Sequence, residues 1–253
     1  MIVIKGADLF GKTVDIAVDG DRVAEVGDVK APKGATVVDA RGLTALPAFV
    51  DMHVHLREPG FEYKEDIESG CRAAVAGGFA AVCCMPNTKP VTDNKYIVKY
   101  VKTRAEEVGL AKVYPIAAIT VGQEGKQIAE FGKLKAAGAV AFSDDGRPVE
   151  SAQTMRVALE YAKQFDALLI SHCEELSLVA GGVINEGYTA SEAGYRGITR
   201  ASEEVMVARE IVLADALSTK VHIAHISTEG SARLIRDAKR AGIRVSCETC
   251  PHY

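Results

Sequence analysis

Two histidines separated by one residue lie in Asp51-Met52-His53-Val54-His55-Leu56-Arg57-Glu58-Pro59-Gly60, directly after the apolar run 43–50. Side chains alternate along a strand with a period of two, so both imidazoles project from one face. Two imidazoles on one face at a strand end make half of a divalent metal site. Arg57 follows two residues later, where its guanidinium can hold an anionic group beside that site. Two further histidines end apolar runs: His172 after Leu168-Leu169-Ile170-Ser171, and His225 after Val221-His222-Ile223-Ala224. Neutral imidazoles suit Zn²⁺, and a catalytic zinc keeps a position open for water. Four histidines plus a bridging carboxylate would hold two ions and acidify a shared water.

That carboxylate is expected from the run Ala139-Val140-Ala141-Phe142-Ser143-Asp144-Asp145-Gly146, with Asp144 as first choice and Asp145 as the alternative. Asp-Asp-Gly also fits an ordinary turn. His222 stands three residues before His225, so alternation places it on the opposite side, packed toward a helix in a structural role. Cys247-Glu248-Thr249-Cys250 has the spacing of a redox or zinc pair. Cysteines three apart on a strand face opposite ways, which argues against that use.

The elements that must position these groups follow from periodicity. Residues 1–46 read as short strands and tight turns: Val14, Ile16 and Val18 alternate with polar residues, Asp19-Gly20 turns, and Val23 and Val26 resume. From residue 43 strands and helices alternate. Strands are expected at 43–55, 80–85, 113–120, 139–143, 167–172, 221–226 and 244–248, and helices at 65–76, 94–108, 124–136, 151–164, 202–217 and 228–240. Such alternation implies an α/β fold with a parallel sheet. Polar residues gather at many strand ends (His53, His55, Asn87, Asp144, Asp145, His172, His225), which favours a (β/α)8 barrel over an open sheet with one crevice. Seven strands and six following helices are found, so the barrel is expected to be incomplete in this chain, with the N-terminal β portion at 1–46 and barrel strands one to seven at 47–253.

The 253 residues are 48% hydrophobic and 25% charged, enough to bury a sizeable core, and the net charge of −4 includes no long basic run. Neither a nucleic-acid nor a membrane footprint is expected. The N-terminus is too quickly charged for a signal peptide, and no segment reaches the roughly 18 apolar residues of a membrane span. Cys71, Cys83, Cys84, Cys173, Cys247 and Cys250 mostly sit in apolar runs, which fits a reduced, cytoplasmic setting better than a disulfide framework.

The decapeptide 51–60, Met85-Pro86-Asn87-Thr88, Phe142-Ser143-Asp144-Asp145-Gly146, His172-Cys173-Glu174-Glu175 and His225-Ile226-Ser227-Thr228 together resemble class I dihydroorotases of the cyclic amidohydrolase superfamily. The resemblance implies a TIM-type metal-dependent hydrolase barrel with a small β-sandwich portion. It implies His53, His55, His172 and His225 as ligands of one or two Zn²⁺ ions, with the strand-four carboxylate between them. Arg57 and Asn87 would hold the substrate's α-carboxylate. Relatives that bridge with a carbamylated lysine differ here, since Ser143 and Asp144 occupy that position; this chain is similar to the aspartate-bridged branch. The implied activity is reversible hydrolysis of L-dihydroorotate to N-carbamoyl-L-aspartate in pyrimidine synthesis. The alternatives are a hydantoinase, dihydropyrimidinase or allantoinase, and an inactive scaffold. Candidate partners are a second copy of the chain and aspartate transcarbamoylase. The family's general acid–base aspartate follows the eighth strand, beyond Tyr253, so low activity or none is expected of the chain as given.

Overall fold

The structure, a computed structural model describing residues 1–253, divides between Phe49 and Val50 into two compact units. In Met1–Phe49, strands β1 (Ile2–Leu9), β2 (Lys12–Asp19) and β3 (Arg22–Gly27) pair antiparallel, and β4 (Thr36–Asp39) lies parallel to β1. Gly20 turns β2 into β3 at a φ of 59°, a left-handed conformation that costs glycine little. Val3, Ala17 and Val29 form the core of this sheet. Asp15 fastens its strands by accepting from Lys5 Nζ (2.7 Å) and the Gly6 amide (2.9 Å). These bonds, that from Lys5 foremost, hold its carboxyl below the usual range.

The larger unit is a seven-stranded sheet in strict chain order. It comprises β5 (Phe49–Val54), β6 (Phe79–Cys84), β7 (Lys112–Ala117), β8 (Ala141–Ser143) and β9 (Leu169–Ser171), then β12 (Val221–Ile223) and β13 (Val245–Cys247). The pairings from β6 through β13 are parallel. Helices α1 (Ile67–Ala76), α2 (Lys95–Val108), α3 (Phe131–Ala137), α4 (Ala152–Lys163), α7 (Ala201–Ala216) and α8 (Glu229–Arg240) each fall between successive strands. The β9–β12 connection also holds α5 (Leu176–Val179), α6 (Tyr188–Glu192) and the parallel pair β10 (Ile184–Asn185) and β11 (Gly197–Ile198). This is an incomplete (β/α)8 barrel of seven strands.

Alternation sorts the strand residues into two layers. Phe142, Leu169, Val221, Ile223 and Val245 pack outward on helix residues such as Phe131, Met155, Leu159, Met206 and Ile235. Cys83, Met85, Ile116, Ala141, Ile170 and Ala224 form a separate interior cluster. Phe142, on the strand leading into the Asp144-Asp145 pair, is fully buried with its ring centroid 4.2 Å from that of Phe131. Burying such a side chain contributes about 2–3 kcal/mol. Asn94, Ser151 and Thr228 cap α2, α4 and α8 by accepting from first-turn amides, so these helices begin sharply after the loops that follow the strands.

Three expectations change. The helix expected from residue 124 begins at Phe131, because Gly122, Gln123 and Gly125 adopt positive φ and keep the preceding segment a loop. The strand expected over 43–55 shortens to β5, and its Phe49, Val50 and Met52 are exposed rather than covered, since β5 is an edge strand. The small elements between residues 176 and 198 are additions to the expected order; each has five residues or fewer, too short for a periodic pattern.

Candidate metal centre

Every candidate ligand sits at, or just beyond, the carboxyl end of a barrel strand. Val54 and Leu56 pack outward with α1 and β6, which turns His53 and His55 inward. In β8 the alternation Ala141, Ser143, Asp145 follows the interior face, while Phe142 faces the helices. His172 continues the interior parity of Ile170. His225 breaks parity: a left-handed φ of 33° swings its side chain back toward the interior despite its odd spacing from Ala224.

The result is one cluster around Asp145. Its carboxylate lies 3.4 Å from His53 Nε2, 3.4 Å from His55 Nε2, 3.4 Å from His225 Nε2 and 3.9 Å from His172 Nδ1. His172 Nδ1 and His225 Nε2 are 2.9 Å apart. Two sets of three donors therefore share one carboxylate, His53–His55–Asp145 and Asp145–His172–His225, each with its donor atoms within 4.8 Å of one another. Asp145 rather than the preferred Asp144 occupies the shared position.

Asp144 points away from the cluster. It accepts from the Ile119 amide (2.8 Å), the Thr120 amide (3.0 Å) and the Thr120 hydroxyl, and so clamps the end of β8 to the segment after β7. Burial pushes its carboxyl above the usual range despite those bonds. The outward parity of Phe142 explains the choice, because Asp144 shares it.

The electrostatics of the cluster differ from one histidine to the next. Burial works against a charged His53, but hydrogen bonds to Asp145 and Glu248 outweigh it and raise His53 to about 10. His55 and His172 are lowered, chiefly by burial. Burial opposes ionisation of Asp145 as well, yet the surrounding histidines hold its carboxyl far below the ordinary range. Four imidazoles and one ionised carboxylate, inward-facing and mostly buried, are a donor set that fits Zn²⁺. A cavity of about 410 Å³ opens beside His172 and His225, bordered by Glu174, Arg200 and Thr228.

Arg57 and Asn87 are expected beside this cluster as ligands of an anion. Arg57 is half-buried and holds a left-handed φ of 61° just past β5. Asn87 lies on the interior parity of Cys83 and Met85, and its Oδ1 accepts from His55 Nδ1 at 3.0 Å. Its amide nitrogen remains available to another acceptor.

Other polar residues around the cluster escape the sequence reading. His222 does not face a helix: it lies on the interior parity of Ala224, with Nδ1 2.8 Å from Ser246 Oγ. The turn at His225 removes the premise that puts the two histidines on opposite sides. Glu248 lies between His53 and His222, and although burial opposes its ionisation, these two neighbours hold it at about 2. Interior alternation along β13, through Ser246, is the signal that points to it. On α7, Arg209 donates to the carbonyls of Val149 (2.9 Å) and Glu150 (2.8 Å) and pairs with the fully buried Glu210. Glu210 accepts from Ser171 Oγ (3.3 Å), so α7 ties the segment after Asp145 to the strand before His172. All six cysteines are free.

The dihydro-orotase-like family model matches residues 42–231. A dihydroorotase from Pelobacter propionicus is 53% identical over 252 residues, which cover 99% of this chain and 59% of that protein. The dihydroorotase of Geotalea daltonii is 54% identical over the same length and shares. The chain thus spans about three-fifths of the length of these relatives. Among solved structures, an L-hydantoinase from Arthrobacter aurescens superposes with a TM-score of 0.80 at 21% identity, covering all of this chain and 58% of that one. A D-hydantoinase from Thermus sp. gives 0.72 at 22% identity, covering 98% of this chain and 57% of that one. At such identities the shared property is the fold.

Proposed function

Because the chain belongs to the dihydroorotase-like family, we propose that the cluster around Asp145 is the zinc centre of a dihydroorotase. The observation that carries this reading is the single carboxylate shared by two three-donor sets. His53, His55 and Asp145 would hold one ion, and Asp145, His172 and His225 a second. When bound, zinc supplies Lewis acidity toward an amide carbonyl and lowers the pKa of water.

The chain's own residues account for orientation. Arg57 makes no ion pair with a protein carboxylate, and its planar fork matches a substrate α-carboxylate in two-pronged fashion. Asn87 would add its amide N–H to the same carboxylate while its oxygen keeps His55 in place. An anion-holding pair beside the donors favours dihydroorotate over neutral hydantoin or allantoin rings. The same reading takes the setting to be cytoplasmic, with a second copy or aspartate transcarbamoylase as candidate partner; no helix is long and apolar enough to cross a membrane.

The test is turnover by the zinc-loaded protein that carries this chain, with dihydroorotate and N-carbamoyl-L-aspartate compared with hydantoin and allantoin. Dihydroorotate should be preferred, and Arg57→Ala should raise KM at least about tenfold without changing zinc content, the loss of a charge-assisted bond. Preference for hydantoin or allantoin would reject the substrate. No turnover of any ring would favour the scaffold alternative.

A further inference from the structure

We propose that Glu248 is a positioning residue of the metal centre, fixing which ring nitrogen His53 presents to the ion; this rests on the zinc reading above. A neutral imidazole carries one N–H and one lone pair, and the partner of one nitrogen decides the role of the other. Glu248 Oε1 lies 2.5 Å from His53 Nδ1, while His53 Nε2 faces Asp145 at 3.4 Å. An ionised carboxylate only accepts, so Nδ1 is the donor, and an ion held at His53 would take the place of any proton on Nε2, whose lone pair is directed into the cluster.

Glu248 is itself held by its backbone and faces a second histidine. Its amide donates to the Ile223 carbonyl (3.1 Å) and its carbonyl accepts from the Ile226 amide (2.9 Å). Its second oxygen lies 3.4 Å from Nε2 of the buried His222, whose Nδ1 meets Ser246 Oγ at 2.8 Å. A polar chain Ser246–His222–Glu248–His53 therefore runs along the barrel interior and ends at the donor cluster. His222 occupies the side of Glu248 turned away from His53.

Zinc affinity of the full chain, measured by competition with a chromophoric chelator, tests the role. Glu248→Leu should weaken zinc binding about 10–100-fold, the range for removing a hydrogen-bond partner of a ligating histidine. Glu248→Asp keeps the charge but withdraws it from Nδ1, and should lose about tenfold. Glu248→Gln retains an accepting oxygen and should stay within about threefold. In a His53→Ala background the Glu248→Leu change should cost less than about threefold, because its route to the ion is gone. Long-range ¹⁵N–¹H spectra of the zinc-loaded parent should show His53 protonated at Nδ1 alone. Parent-like affinity in Glu248→Asp, or an undiminished loss without His53, would overturn the proposal. A parent chain that binds no zinc would overturn the zinc reading first and this role with it.

Discussion

The two histidine pairs flanking Asp145 are built differently. His53 and His55 leave one strand together, present Nε2 to Asp145 at the same 3.4 Å, and have their Nδ1 atoms engaged by Glu248 and Asn87. His172 and His225 arrive from β9 and β12, present opposite ring nitrogens, and meet each other at 2.9 Å. The outer nitrogen of His172 contacts only Glu174, at 3.2 Å, whose side chain is about one-third exposed. The first pair is oriented by partners outside the cluster before any ion arrives; the second is oriented largely from within it. Outer partners of this kind raise ligand basicity and limit ring rotation, so the β5 side should form the tighter of two ion sites.

Stepwise zinc titration tests that difference. Among the variants of the two pairs and their partners, the largest effect is expected from His55→Ala, which should weaken the tighter step beyond the roughly 100-fold typical of outer partners. His225→Ala should remove the weaker step and spare the tighter one. The reverse assignment would invert the comparison. A smaller effect, about tenfold on the tighter step, is expected from Asn87→Ala. That variant should also raise KM for dihydroorotate, whereas Arg57→Ala should raise KM alone. Smallest is Glu174→Gln, expected to change the weaker step by less than about threefold because an exposed partner is already solvated; a tenfold loss there would show that the second pair is braced as firmly as the first.

Much of this centre is legible in the amino-acid sequence. Alternation places His53 and His55 together, and the short apolar runs before His172 and His225 mark them as strand ends. The departures lie where alternation is dropped too early or carried too far. Parity from Phe142 continues past the end of β8, so it assigns Asp145 inward and Asp144 outward. Parity through Ser246 likewise brings Glu248 inward, although the flanking cysteines give that stretch the look of a thiol motif. For His225 parity fails, because a positive φ is not readable from an ordinary histidine in a strand-like run. The Arg209–Glu210 pair is hidden for another reason: adjacent charges on a helix usually mean a solvated face, and only the packing of α7 shows Glu210 fully buried against Ser171.

On the proposed reading, Asp145 is the carboxylate shared by two ions and Asp144 a clamp between strand ends. Zinc affinity and metal-free thermal stability, measured side by side for Asp145→Ala and Asp144→Ala, test it most directly. Asp145→Ala should lose zinc binding at both steps. Asp144→Ala should retain zinc but lose about 2–4 kcal/mol of stability, since the buried Ile119 and Thr120 amides would be left without an acceptor. Parent-like zinc binding in Asp145→Ala, with loss of zinc in a folded Asp144→Ala, would contradict the account.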